Sequence, residues 1–513
     1  MVSVAARTGD RTLSVKAATV LAGFAALAAA VTVGRGVNIG VLVLVFCAAI
    51  AVGYRVLSKW TTLVGAIVVV ILYVPITRYK FGAGLPFDLE PYRVVVALVV
   101  VIWIASLLAD PRVRLRSTFL DPPLVVFLFA VLGSVLTNLP FISATPRSVV
   151  LATWFTRQDL TDSVVKKTLF LGSFYLVFYF VVSVIRSQDA IHAVLKTLVG
   201  GGTLVGIAGI YEARTGYNLF NHLGGVLPFV DFQGGIAQTA LERGGRLRVY
   251  ASAQHPIAFA ALFVMLLPLA IYLARYTRQK RWWFSAVVTG MAALSATSRT
   301  SILMLFAMLL VFLWLRRDEI KRLWPLLLPA LLLVHIALPG TLGTLRASFF
   351  PRQGLIAEQT AFTGRTSGER IGPVIERIKE NPAFGQGYGT RITEAGWRQN
   401  AHVLDNEWLG TTAETGLFGF AAWIWTFGRF IRRAGREAKR DDSARGWLLT
   451  AIAGGVAAFA VGMATYDAFS FIQVTFVLYI LLGLAVCAVH SREEWGAASP
   501  SSAVAELRRR ERH

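Results

Sequence analysis

Arg299 is the sole charged residue in the apolar stretch from Trp282 to Leu315, in the triplet Ser298-Arg299-Thr300. It either marks a tight turn between two short helices or projects into a polar cavity at a membrane face, and the second reading is preferred because short flanking spans keep it near the bilayer edge. Arg243, Arg246 and Arg248 end a polar segment just ahead of Ser252, Gln254, His255 and Pro256. Arg365 precedes a stretch in which Ile371, Val374, Ile375 and Ile378 recur on one helical face, flanked by Arg370 and Arg377 and stopped by Asn381-Pro382. The competing role for Arg370 and Arg377 is contact with anionic lipid headgroups. Further on, His402, Asp405, Asn406 and Glu407 crowd against Trp408 and Leu409 at the start of an apolar run. Guanidinium pairs bidentately with phosphate oxygens and keeps its charge. Arginines at a lipid interface beside a few carboxylates and imidazoles suit a substrate with a lipid tail and a diphosphate. The arginines would stabilise the departing diphosphate while one base takes the proton of an attacking hydroxyl.

The elements that must position these groups follow from composition. Of 513 residues, 55% are hydrophobic and 16% charged, yet 51 Lys and Arg against 29 Asp and Glu leave a net charge of +22. A soluble chain that basic points to nucleic acid, but the large polar surface such a protein needs is missing, so no nucleic-acid partner is expected. The apolar residues fall in long runs that give about fourteen membrane spans. Cation-rich connections alternate with cation-poor ones, which sets both termini of a multi-pass membrane protein in the cytoplasm. Arg275 to Arg281, Arg316 to Arg322 and Arg429 to Arg445 are the clearest inner connections, and the tail Arg508 to Arg512 agrees. Arg7, Arg11 and Lys16 before an Ala-rich run look like a signal peptide, and an uncleaved first span is preferred. Cys47 and Cys487 both fall in expected spans, which implies no disulfide framework.

In this topology two outer segments, 212–256 and 339–415, are long enough to carry chemistry, with a shorter one at 140–167. The chain divides into N-terminal spans (1–192), a core with both long outer segments (193–430), C-terminal spans (431–490) and a basic tail (491–513). The turn Asn381-Pro382-Ala383-Phe384-Gly385-Gln386-Gly387-Tyr388-Gly389 carries three glycines at alternate positions, which let backbone amides approach a ligand. No Gly-x-x-x-x-Gly-Lys-Ser/Thr loop is present, so ATP is not bound through a P-loop. No His-Glu-x-x-His and no outer Cys/His cluster offers zinc a ligand set, and no cofactor is expected. Asp441-Asp442 reads as a solvated acidic pair, and His222 and His255 have no obvious partner. Gly200 to Gly202 would break a span, which favours a transporter or lipid-linked oligosaccharide flippase. A non-catalytic scaffold is the third reading.

Several of these pieces, in order, resemble the O-antigen ligase and polysaccharide polymerase superfamily over residues 200–430. They are Thr215-Gly216-Tyr217-Asn218, Arg248 through His255-Pro256, Ser298-Arg299-Thr300, Gly364-Arg365, the Asn381 to Gly387 turn, Asp405-Asn406-Glu407-Trp408-Leu409, and Glu414-Thr415-Gly416-Leu417-Phe418-Gly419. The resemblance implies an all-α polytopic, GT-C-like membrane glycosyltransferase, inverting and metal-independent. Its partners would be an undecaprenyl-diphosphate-linked glycan donor, a glycan or lipid-linked acceptor, and membrane lipids. It also implies diphosphate contacts from Arg248, Arg299, Arg365 and Arg370. The family often has His-Asn where this chain has Asp405-Asn406, so either Asp405 or His402 is the base, with Asp405 preferred. The Glu414 stretch reads as a structural junction.

Overall fold

The structure, a computed structural model, describes residues 59–81, 90–111, 113–144, 151–153, 156–158, 160–227, 230–234, 242–243, 246–323, 325, 327–349, 368–390 and 405–491. The helices are α1 (Trp60–Tyr73), α2 (Pro91–Ala109), α3 (Asp121–Thr137), α4 (Leu139–Ala144), α5 (Leu160–Val184), α6 (Gln188–Thr215), α7 (Pro256–Thr277) and α8 (Lys280–Ser295). They continue with α9 (Arg299–Leu315), α10 (Arg317–Leu323), α11 (Leu327–Ala337), α12 (Thr341–Phe349), α13 (Gly368–Glu380), α14 (Glu407–Lys439), α15 (Ala444–Gly462) and α16 (Ile472–His490). Six of these, α2, α5, α6, α7, α15 and α16, are long and apolar enough to cross a membrane, and α1, α3 and α9 are shorter apolar helices. The chain is a multi-pass helical membrane protein. The first two expected spans, before residue 59, lie outside the described residues.

The expected all-α architecture is interrupted by three short antiparallel ribbons among the described residues. β1 (Tyr79–Phe81) pairs with β4 (Val230–Phe232), β2 (Leu151–Thr153) with β3 (Thr156–Gln158), and β5 (Glu242–Arg243) with β6 (Arg246–Leu247). All lie in connections at one end of the helices. Their period-two pattern is too short to stand out in sequence.

The core surrounds α7 and α16, whose apolar stretches are 89% and 94% buried against 28% in α2. Leu98, Val101 and Leu108 on α2 and Val125, Phe129 and Leu132 on α3 are exposed, as expected of lipid-facing surface. The Gly200 to Gly202 run does not break a helix: α6 continues from Gln188 to Thr215. A side chain at Gly202, Gly206 or Gly209 would overlap Leu266, Phe263 or Phe259 of α7. These glycines form a small-residue stripe that lets two helices pack closely. The observation favouring a transporter is thereby removed.

At one end of the bundle the basic connections are tied together. Arg275 pairs with Glu319 at 2.9 Å, and Arg316 bonds the Ala438 and Asp441 carbonyls and the Asp442 carboxylate. Arg445, 1% exposed, is held by Glu437 at 2.9 Å and Asp441 at 2.8 Å. Asp441 is therefore not a solvated loop residue. Burial would raise its pKa, but hydrogen bonds from Ser443 and Arg445 and the Arg445 charge outweigh that and hold it low.

Candidate functional site

At the opposite end Arg299 is the first residue of α9 and is half-buried, following a turn in which Thr297 is left-handed at φ 46°. Buried Arg248 donates from Nε to the Ala296 carbonyl of that turn at 3.2 Å. Two arginines far apart in sequence thus meet at the α8–α9 corner. The segment after Arg248 is clamped from below. Glu212, near the end of α6, accepts the Ala251 amide at 2.8 Å, and Asn218 donates to the Ala251 carbonyl at 3.1 Å. Arg78, buried just after α1, donates to the carbonyls of Ala251 and Ala253 and to Asn221. Its guanidinium lies 4.8 Å from the Tyr250 ring centre. Burial lowers the Arg78 pKa to about 10, against the pull of Tyr250 and Glu212, so it remains cationic at neutral pH.

The carboxylate side of the site joins through the α15–α16 connection. The Thr465 hydroxyl bonds that of Thr300 at 2.9 Å, and the Glu407 amide donates to the Met463 carbonyl at 2.7 Å and that of Tyr466 at 3.2 Å. Glu407 is 1% exposed; its carboxylate accepts from Thr411 at 3.2 Å and from the Phe469 amide at 3.0 Å. Asn406 caps α14 by accepting the Leu409 amide at 3.1 Å. Asp405, immediately before the cap and half-buried, has φ 46°. Four of the five non-glycine residues with positive φ among those described, Thr77, Ala251, Thr297 and Asp405, lie at this end. Backbone strain of this kind gathers at functional sites.

The structure thus brings Arg248, Arg299 and Asp405 to one end of the bundle. Arg365 and His402 lie outside the described residues. Asp405 itself stands outside the helix, because α14 starts at Glu407. Arg370 lies in α13, which runs as the apolar stripe indicated; Val374 and Ile378 are half-buried and Ile375 is exposed. The two partnerless histidines acquire partners. His255 caps α7 by accepting the Ile257 amide at 3.2 Å, and His222 bonds the Asn218 carbonyl at 3.0 Å.

The glycines of the Asn381 to Gly389 turn have a structural use. α14 is interrupted at Gly416, φ 66° and ψ −166°, which releases carbonyls of the preceding turn. Gln386 donates its amide to Ala413 at 2.9 Å and Gly387 to Glu414 at 3.2 Å, while Leu417 donates back to Pro382 at 2.8 Å. A Cβ at Gly385 or Gly416 would overlap the facing backbone. Glu414 belongs to this junction as expected, and its carboxylate pairs with Lys167 of α5 at 3.0 Å.

Glu407 and Glu414 line a cavity of about 330 Å³ with Glu90, Arg93, Lys166, Lys167, Gln254 and Tyr388 among its other walls. Arg93, Lys166, Lys167 and Arg78 were missed in sequence. Cations at span ends that the positive-inside rule leaves cation-poor were the available clue.

Fold and site together define a multi-pass helical membrane protein with an arginine and carboxylate site at one end of its bundle. Residues 284–424 match the family model described as O-antigen ligase, which supports the resemblance to the O-antigen ligase and polysaccharide polymerase superfamily. The matched residues include Arg299, Arg365, Arg370, His402 and Asp405, and leave out Arg248. No curated protein matches the chain.

Proposed function

We propose that the protein is a membrane glycosyltransferase of the O-antigen ligase type. It moves a glycan from an undecaprenyl-diphosphate-linked donor to a hydroxyl acceptor on the extracytoplasmic face, in cell-surface polysaccharide synthesis. The observation that carries this reading is the convergence of Arg248 and Arg299 at the α8–α9 corner with the Asp405 to Glu407 entry of α14, within a family match to O-antigen ligase. The end opposite the Arg316 and Arg445 cluster is assigned to the outside. No nucleotide sugar is available there, so the driving force comes from the lipid-linked donor itself.

In the proposed step the acceptor oxygen attacks the anomeric carbon as the bond from that carbon to the diphosphate oxygen breaks. The electron pair leaves with the lipid diphosphate, which Arg248 and Arg299 stabilise, with Arg365 and Arg370 as further candidates. The hydroxyl proton passes to Asp405, or to His402 in its place. A single displacement inverts the anomeric centre. Growth of a lipid-linked polymer by a polymerase of the same superfamily uses the same step on a different acceptor.

Purified protein given a lipid-diphosphate glycan and a hydroxyl acceptor, without metal or nucleotide, is expected to release lipid diphosphate. Arg299→Ala should slow this by about 100-fold or more, and Asp405→Asn by a comparable factor. Full turnover in both variants would remove the site assignment. Donor movement across liposomes with no bond formed would instead identify a flippase.

A further inference from the structure

A second, larger space lies beside the site. Between α2 and α5 runs an open groove of about 960 Å³, walled by Tyr92, Arg93, Val96, Val100 and Val101 of α2 and by Asp162 through Leu176 of α5. Its charged residues, Arg93, Asp162 and Lys166, all belong to the first two turns of the two helices, and every deeper wall residue is uncharged. At about 1.5 Å per residue the walls extend about 14 Å along α2 and about 21 Å along α5. That depth reaches from the membrane surface to about the middle of a hydrocarbon core of about 30 Å.

Three features say what occupies it. Leu98, Val101, Val165 and Leu169 are exposed around it, so it opens sideways to lipid. A Cβ at Gly172 on its wall would have nothing within 4 Å. Arg93, Lys166 and Phe170 line both the groove and the cavity that contains Glu407 and Glu414, so the two spaces adjoin. Arg93 lies 5.2 Å from the Phe170 ring centre and bonds Glu90 at 2.7 Å, which holds it at this junction. The positive ends of α2 and α5 face the same mouth. An apolar slot of half-bilayer depth with cations at its surface end fits a long isoprenoid chain carrying a phosphate headgroup.

We propose that this groove holds the polyprenyl chain of the lipid-linked donor, with its diphosphate at Arg93 and Lys166 before the glycan end enters the adjoining cavity. The choice of a polyprenyl lipid rests on the transferase reading above. The groove also explains why cations stand at the outer starts of α2 and α5, where the positive-inside rule expects few.

The test is photocrosslinking of the full-length protein in phosphatidylcholine nanodiscs with undecaprenyl diphosphate bearing a diazirine on its chain, followed by mapping of labelled peptides. Labelling is expected within 92–101 and 162–176 and to persist in excess phosphatidylglycerol. Gly172→Phe, whose Cβ meets nothing within 4 Å, should reduce it about tenfold, and Lys166→Gln should weaken retention of the lipid about fivefold. Labelling elsewhere, equal labelling of Gly172→Phe, or competition by phosphatidylglycerol would each overturn the assignment. Glycan transfer is measured on the same samples. Groove labelling without any transfer would leave the groove and remove the transferase. Transfer by Gly172→Phe with unchanged labelling would do the reverse.

Discussion

Arg78 shows what a single buried cation does for a site it does not line. It comes from the α1–α2 connection, yet its partners are 143, 173 and 175 residues away. Through the Ala251 and Ala253 carbonyls it fixes the segment that starts at Arg248. Arg78→Met would leave the Ala253 carbonyl without its donor, the Ala251 carbonyl with Asn218 alone, and Glu212 without the Arg78 charge. We expect a loss of about 3 kcal/mol, read as a lower melting temperature in detergent, with Arg78→Lys recovering part of it. Arg299 was legible in sequence because a lone charge in a long apolar stretch is costly unless used. Arg78 was missed, because its place at a cation-poor span end is a weak clue and its partners lie far along the chain. Asp405 was legible as part of a polar cluster; its left-handed backbone, which separates it from the helix, is a property of the fold.

Elements were easier to read than the joints between them. Among the described residues hydropathy located the six long apolar helices and three shorter ones, because a backbone in lipid must satisfy its own hydrogen bonds. It did not reveal that α14 starts at Glu407 and is interrupted at Gly416, because the interruption is stabilised by a turn some 30 residues upstream in the sequence. The same glycine-rich composition therefore has three meanings here: a joint at Gly416, a packing stripe on α6, and open wall at Gly172. Substitutions separate the cases. Gly202→Val would press into Leu266 of α7, at a cost of about 2 kcal/mol. Gly428→Ala in α14 meets nothing within 4 Å and should be neutral or gain up to about 1 kcal/mol in helix propensity. Thermal unfolding of the two variants should move in opposite directions or, for Gly428→Ala, not at all; an unchanged or higher melting temperature for Gly202→Val would mean that the α6–α7 contact is not close.

For the whole molecule the +22 charge is an orientation signal before it is a binding signal. Arg275, Arg316 and Arg445 gather at one end with Glu319, Glu437 and Asp441, while Arg248, Arg299 and Asp405 gather at the other. The proposed reaction depends on which end faces the cytoplasm, because only there are nucleotide-activated sugars available. In a chain with Cys47 and Cys487 replaced by Ser, Gln233→Cys and Arg440→Cys place single thiols on exposed residues of the two ends. A membrane-impermeant maleimide should label Gln233→Cys in intact spheroplasts and Arg440→Cys only after permeabilisation. The reverse pattern would put the arginine and carboxylate site in the cytoplasm, where a lipid-linked donor is no longer required, and the case for that donor would fall with the topology.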